Sequence, residues 1–518
     1  MNETAPIAIR DLLENGAGGD VAIGAPGRPD LTYDGLRGLV DRTGAALAAL
    51  GVAPGDRVAI VLPNGPAMAS CFLAVAAYAT AAPLNPAYRE DEFDFYISDL
   101  RARILVVLQG METPARAVAA KHGVPVVELI EDEGGAAGDF ALDLGGRAPG
   151  TARRAGPSDT ALVLHTSGTT SRPKIVPLAG SNLAASARHI ATTLRLSPAD
   201  RCLNIMPLFH IHGLIAAVLS SMQAGASVHC SPGFDALRVF RWFEEVKPTW
   251  YTAVPTMHQA ILGRAGRNAE TVAAMKLRFI RSSSSSLPPQ VMTELEATFG
   301  CPVIESYGMT EASHQMTSNP LPPAARYPGS VGIAAGPEVR ILGLDGKFQP
   351  AGAEGEIVIR GPNVTAGYEN NEKANAEGFA PDPDGRGGRW FRTGDQGTMD
   401  ADGYLRITGR IKEIINRGGE KIAPREVDEV LMDHPAVAQA VTFAVPHPKL
   451  GEEVGAAVVL RDGASATDAE LKQFVSARLA DFKVPRTLLL VDEIPKGATG
   501  KLQRIGLAEK LGLGAKAS

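Results

Sequence analysis

The stretch Leu162-Val163-Leu164-His165-Thr166-Ser167-Gly168-Thr169-Thr170-Ser171-Arg172-Pro173-Lys174 decides how the rest of the chain is read. An apolar strand runs into a loop of glycine and hydroxyl residues that ends on a lysine. Glycine lets the backbone approach a ligand, exposed N–H groups and hydroxyls donate to phosphate oxygens, and lysine adds a compact positive charge. Thr166, Ser167, Gly168, Thr169, Thr170 and Lys174 are therefore candidate phosphate ligands. The spacing G-x-x-x-x-G-K-[ST] is absent, and Pro173 disfavours a helix directly after the loop. On composition alone a polar surface turn fits equally well, so the flanking sequence has to decide.

Upstream, short β-rich runs alternate with helical patterns. Val58-Ala59-Ile60-Val61-Leu62 precedes a helix from about Pro66, and Ile104-Leu105-Val106-Val107-Leu108 follows. This alternation predicts an α/β fold of parallel sheets with crossover helices. Residues 133–159, rich in Gly, Ala and Arg, read as a surface loop or a seam between subdomains. From about 331 to 409 the texture changes to Val339-Arg340-Ile341-Leu342, Glu356-Ile357-Val358-Ile359-Arg360 and Tyr404-Leu405-Arg406-Ile407, separated by Gly-containing turns. That pattern predicts a small antiparallel, barrel-like unit. Beyond it, helices over 425–433 and 468–479 and extended runs over 438–445 and 456–460 predict a smaller α+β domain. The division expected is a large domain over 1–411 and a C-terminal domain over 412–518, with a frayed tail beyond Gly512.

The chain has 518 residues, enough to bury several cores, with 45% hydrophobic and 21% charged residues, which excludes disordered and fibrous classes. Its net charge of -6 gives no electrostatic reason for a nucleic-acid or anionic-membrane partner, so any bound anion needs a local site. Cys71, Cys202, Cys230 and Cys301 form no CxxC or Cys/His pair, which points to a reducing cytoplasm rather than a disulfide framework or a zinc site. The uncharged run between Arg57 and Arg89 is cut by four prolines and reads as buried helix, not as a membrane span.

Four further motifs follow the loop in order. They are Ser306-Tyr307-Gly308-Met309-Thr310-Glu311, Thr393-Gly394-Asp395 ahead of Tyr404, Gly409-Arg410-Ile411-Lys412-Glu413, and Pro495-Lys496-Gly497-Ala498-Thr499-Gly500-Lys501. Together with the loop they make the chain resemble the AMP-forming acyl-CoA synthetase superfamily, which includes beetle luciferases and peptide-synthetase adenylation domains. The resemblance runs from Thr166 to Lys501. It implies that a substrate carboxylate attacks the α-phosphorus of ATP, that pyrophosphate leaves, and that a thiol, that of coenzyme A, then attacks the acyl-adenylate.

Two anions meet in the first step, so cations must be placed on the transferring phosphorus. The resemblance assigns Lys501 to bridge carboxylate and α-phosphate, Thr310 to donate to that phosphate, and Glu311 to hold Mg²⁺. It assigns Asp395 and Arg410 to the ribose, and Tyr307 with the backbone of Ser306 and Gly308 to the adenine. Lys412 falls at the hinge of a two-position machine whose C-terminal domain first delivers Lys501 and then lines the thiol tunnel with Gly418 and Gly419. A paired glycine also fits a plain β-turn. Ile175 stands after Lys174 where the family usually has glycine.

For the acid, the informative residues are Pro207-Leu208-Phe209-His210-Ile211-His212-Gly213, the serines at 282–286, and Glu311-Ala312-Ser313-His314. Relatives for aromatic or fatty acids tend to show Gly, Ala and Pro at the serine run. Here Ser283, Ser284 and Ser286 would make the wall polar, and a buried hydroxyl without a partner costs ~1–3 kcal/mol. His210 and His314 could pair with the far end of a small dianion; alternatively His210 gates the tunnel and His314 sits on a surface helix. The wording of these stretches, with Gly361-Pro362-Asn363-Val364-Thr365, is similar to oxalate-CoA ligases. The expectation is an ATP-dependent ligase for oxalate, with malonate, glycolate or a carrier-protein thiol as alternatives.

Overall fold

The structure, a computed structural model, describes residues 6–132, 134–166, 173–496 and 502–514. Two large sheets dominate it. The first has seven strands in the order Phe140–Leu142, Val126–Glu131, Ile104–Leu108, Arg57–Val61, Thr80–Pro83, Thr160–Thr166, Lys174–Ala179. The second has nine, running Ile333–Ala334, His314–Ser318, Val303–Met309, Phe279–Ser282, Trp250–Ala253, Arg201–Asn204, Ser227–Cys230, Val21–Gly24, Leu31–Thr32. The central pairs in both are parallel and the edges antiparallel. Val58, Ile60, Leu105 and Val106 are fully buried, because helices cover both faces and leave no solvent side to demand a polar alternation.

The helix Pro66–Ala76, buried at all ten positions after its first proline, accounts for the uncharged run: it is the core helix expected, apolar all round. No helix among the described residues is long and apolar enough to cross a membrane. Within 134–159 the short strand Phe140–Leu142 caps the first sheet and Ala155 N donates to Ala77 O at 2.9 Å, so this segment is anchored at both ends, while most of 143–154 lies exposed between them.

The region after 331 is a five-stranded antiparallel sheet. Its long strand Arg389–Met399 pairs with Glu354–Arg360 on one side, and on the other with Phe379–Pro381 and then Leu405–Arg410. Register shifts at Glu356/Val358 and Gln396/Gly397 bend it, as bulges do. The C-terminal part packs the helices Pro424–Met432 and Asp468–Ser476 against a sheet led by the hairpin Val437–His447 and Gly451–Leu460. The whole is a two-domain α/β fold, large N-terminal and smaller α+β C-terminal. Polar contacts join the two parts: Arg425 Nη1 donates to Ile407 O at 2.8 Å, and Gln259 Nε2 to Ala438 O at 3.0 Å.

Candidate functional site

The two ends of the opening motif lie side by side: Thr166 pairs in register with Lys174 across the antiparallel strands at the edge of the first sheet. Ser167, Gly168, Thr169 and Thr170 lie outside the described residues, as do Lys501 and the tail beyond 514. The Lys174 ammonium sits 4.2 Å from the centre of the Tyr368 ring, and the Tyr368 hydroxyl donates to Glu311 Oε1 at 2.8 Å. Ile175 is buried in the core beside Val163, so its side chain anchors the hairpin's second strand.

Glu311 itself is buried on the turn Thr310–Ala312, directly after the strand Val303–Met309. Burial pushes its carboxyl above the usual range, while Tyr368 and the positive charges of Lys174 and Arg410 pull it back. One buried carboxylate beside a half-buried Thr310 suits a magnesium ion, which keeps most of its shell for phosphate oxygens and water.

On the same strand Tyr307 donates from its hydroxyl to Asp395 Oδ2 at 2.5 Å, and Arg410 Nε lies 3.1 Å from Oδ1. Asp395 and Arg410 face each other in register across the antiparallel pair. Residues 88 positions apart in sequence are thus locked together, and burial pushes the Tyr307 phenol well up. Ser306 is buried, its hydroxyl 3.4 Å from Ser282 O. At Gly308 any side chain is excluded, since a Cβ there would lie 1.8 Å from His314 O.

The serine run is not a single hydroxyl wall. Ser283 is buried and spends its proton on Ser306 O at 2.9 Å, whereas Ser286 is exposed. The reason is local: Ser284 takes φ +73°, a left-handed turn that splays the run. Ser284 reaches a histidine, His212, through Nδ1 at 3.0 Å. His314, buried rather than on a surface helix, packs its ring edge-on to His212 at 4.9 Å, on backbone held at φ +98°. His210 is half-buried two residues before, its Nδ1 accepting from His212 N at 3.4 Å. His212 opens a wide-turned helix, His212–Leu219, of the π type often found at functional sites.

Two residues of this cluster were given no role from the sequence. His212 was legible as the second histidine of an H-x-H pair. Arg281, fully buried in the strand Phe279–Ser282, was legible as a charge inside an apolar run. Its Nη2 donates to Gln315 Oε1 at 3.3 Å, and its Nη1 approaches His212 Nε2 at 3.4 Å.

Lys412 is exposed on the turn Ile411–Glu413. Gly418 and Gly419, at φ +59° and +101°, form the two-residue loop of the hairpin between Ile415–Arg417 and Glu420–Ile422, and such a turn by itself favours glycine at both positions. They are exposed, and the Gly418 amide bonds Leu450 O within the C-terminal part.

Known proteins place this geometry. The model of the AMP-binding enzyme family matches residues 15–369, and that of its C-terminal domain matches 426–501. The chain is 46% identical to the oxalate–CoA ligase of Arabidopsis thaliana over 93% of this chain and 94% of that one. It is 36% identical to the sulfoacetate–CoA ligase of Cupriavidus necator, with 92% of each covered. Among solved structures, ATP-bound MatB from Rhodopseudomonas palustris superimposes with a TM-score of 0.86 at 31% identity, covering 97% of this chain and 98% of that one. The chain belongs to the AMP-binding enzyme family and is an AMP-forming acid–thiol ligase, an acyl-CoA synthetase using ATP and coenzyme A.

Proposed function

We propose that the enzyme activates a small polar carboxylate, oxalate first among them, to its CoA thioester. The observation that carries this reading is the buried polar cluster of His212, His314, Gln315 and Arg281, which ends on the half-buried Ser284 and whose His314 and Gln315 follow closely on Thr310 and Glu311 in the chain. A hydrocarbon chain packed over Ser284 would bury its hydroxyl hydrogen without an acceptor, at ~1–3 kcal/mol. A carboxylate supplies one.

On this reading Asp395 accepts from the ribose hydroxyls, held in place by Tyr307 and Arg410, and the Tyr307 ring stacks on adenine. Thr166 and Lys174, with the loop between them, take the β- and γ-phosphates, and Thr310 donates to the α-phosphate. Glu311 would hold Mg²⁺, which would supply positive charge to offset that of the phosphates. The acid's carboxylate oxygen bonds to the α-phosphorus, the bond to pyrophosphate breaks, and Lys501 offsets the charge that gathers there. The CoA thiolate then attacks the acyl carbon and AMP leaves. The C-terminal domain, beginning after the hinge at Lys412, turns between the two steps and brings Gly418 and Gly419 to the thiol. Four free, buried cysteines suit a reducing cytoplasm.

The test is pyrophosphate release with ATP and Mg²⁺ against a panel of oxalate, malonate, glycolate, acetate and a medium-chain fatty acid, with and without CoA. Oxalate should give the highest kcat/KM and sustained turnover only with CoA. Preference for the fatty acid refutes the polar-acid reading, and sustained turnover without CoA points to another thiol.

A further inference from the structure

Arg281 is fully buried, and among the described residues no carboxylate pairs with it. A buried cation without a counter-charge is costly, so its retention in the middle of a strand asks for a role. Burial pulls the guanidinium down to about 9, which leaves it charged at neutral pH. It is held firmly. Nη2 donates to Gln315 Oε1 at 3.3 Å, and the Gln315 amide is pinned in turn by Ala335 O at 3.1 Å and Thr193 Oγ1 at 3.2 Å.

The other end of the guanidinium faces a chain of three groups. Nη1 lies 3.4 Å from His212 Nε2 and 3.5 Å from Thr252 Oγ1, while the Thr252 hydroxyl is 2.6 Å from the same Nε2. A guanidinium only donates, so the atom facing it must offer a lone pair. A hydrogen on Nε2 would point at the guanidinium, donor against donor, with no lone pair to receive either. The ring therefore accepts at Nε2, from Thr252, and carries its proton on Nδ1. Nδ1 then donates to Ser284 Oγ at 3.0 Å. With its oxygen used as an acceptor, the Ser284 hydroxyl has its own hydrogen to give elsewhere, and no acceptor among the described residues takes it. Ser284 is the half-buried end of an otherwise buried chain.

We propose that Arg281 is a positioning residue for acid selection: through Thr252 and His212 it sets the direction of the hydrogen-bond chain, so that Ser284 donates to the carboxylate of a small anion. The inference rests on the polar-acid reading above for the nature of the ligand, but the coupling it asserts is between Arg281 and Ser284. Arg281 touches neither reacting carbon nor phosphorus in this scheme. Its effect belongs in the acid's KM, not in that of ATP.

The experiment is a double-mutant cycle on the parent's fastest acid from the panel, with Arg281→Met and Ser284→Ala alone and together. Each single change should raise the acid's KM ~10-fold or more, as loss of a hydrogen bond to a charged group does, with the KM for ATP within about twofold. In the Arg281→Met background Ser284→Ala should add less than about twofold, because the hydroxyl is no longer directed. Arg281→Lys should recover part of the loss. Thr252→Val, nearly the same shape, should reproduce the pattern and serves as the cycle partner if Arg281→Met does not fold. Fully multiplicative losses, an ATP KM that rises in step with the acid KM, or no effect of Thr252→Val would overturn the proposal. A parent that prefers a fatty acid would sink the substrate reading instead, while the cycle run on that acid still reports whether Arg281 and Ser284 are coupled.

Discussion

Replacing Glu305 by glutamine should stabilise the enzyme above neutral pH and do little below pH 5. Glu305 lies on the strand Val303–Met309 beneath the serine run, only 1% exposed, with Oε1 accepting from Leu287 N at 2.9 Å. Burial pushes its carboxyl from 4.5 up to about 7, against the weaker opposite pull of Arg425 and the Leu287 amide. A group whose folded value stands above its unfolded one is bound to its proton more tightly in the folded state. Stability is therefore untouched below about pH 4.5, falls as pH rises through the interval up to about 7, and stays reduced beyond it. At 1.36 kcal/mol per decade the interval is worth ~3 kcal/mol. Glutamine keeps the acceptor for Leu287 and has no charge to desolvate. Thermal unfolding of parent and Glu305→Gln at pH 5 and pH 8 should then show the variant gaining roughly 5 °C more at the higher pH, given ~2–4 °C per kcal/mol in smaller domains. An equal difference at both pH values, or a larger gain at pH 5, would refute the argument.

Tyr307→Phe should raise the KM for ATP ~10-fold while leaving that of the acid nearly unchanged, because Asp395 loses a charge-assisted bond but keeps Arg410; steady-state kinetics with each substrate varied checks it. Lys501→Ala should slow pyrophosphate release from ATP and acid much more than thioester formation from preformed acyl-adenylate, and equal losses in the two half-reactions would contradict its assignment. Arg504→Gln should destabilise the C-terminal part by ~2 kcal/mol, because its guanidinium bridges Asp428 at 2.6 Å and Glu413 at 3.3 Å and donates to Thr442 O at 3.0 Å. Urea unfolding followed by limited proteolysis near residue 412 would reveal that loss, and an unchanged midpoint would count against it.

The layered sheets were legible because strands such as Ile104–Leu108 are apolar throughout and helices such as those at Pro66 and Pro255 begin at prolines. The nucleotide residues were legible for a different reason. Each sits in a short string whose spacing is local, such as Tyr307 to Glu311 or Thr393 to Asp395, although their meeting across the fold is not written in any string. The acid site was only half legible. Five serines in a row look alike in sequence, yet a single left-handed residue at Ser284 sends Ser283 into the core and Ser286 to the surface. The choice between His210 and His212 depends on where the helix His212–Leu219 starts, a matter of packing. The part played by Arg281 could be seen only when strands separated by long crossovers brought Thr252, His212 and Gln315 around it.

The crowding at Gly308 bears on how this enzyme could be re-engineered. A randomised library at that position should return glycine alone, since even a methyl group would drive the His314 carbonyl, and with it the imidazole, out of place. New acid preferences are better sought at Ser284, the half-buried serine that bonds His212, with small residues that tolerate its left-handed backbone.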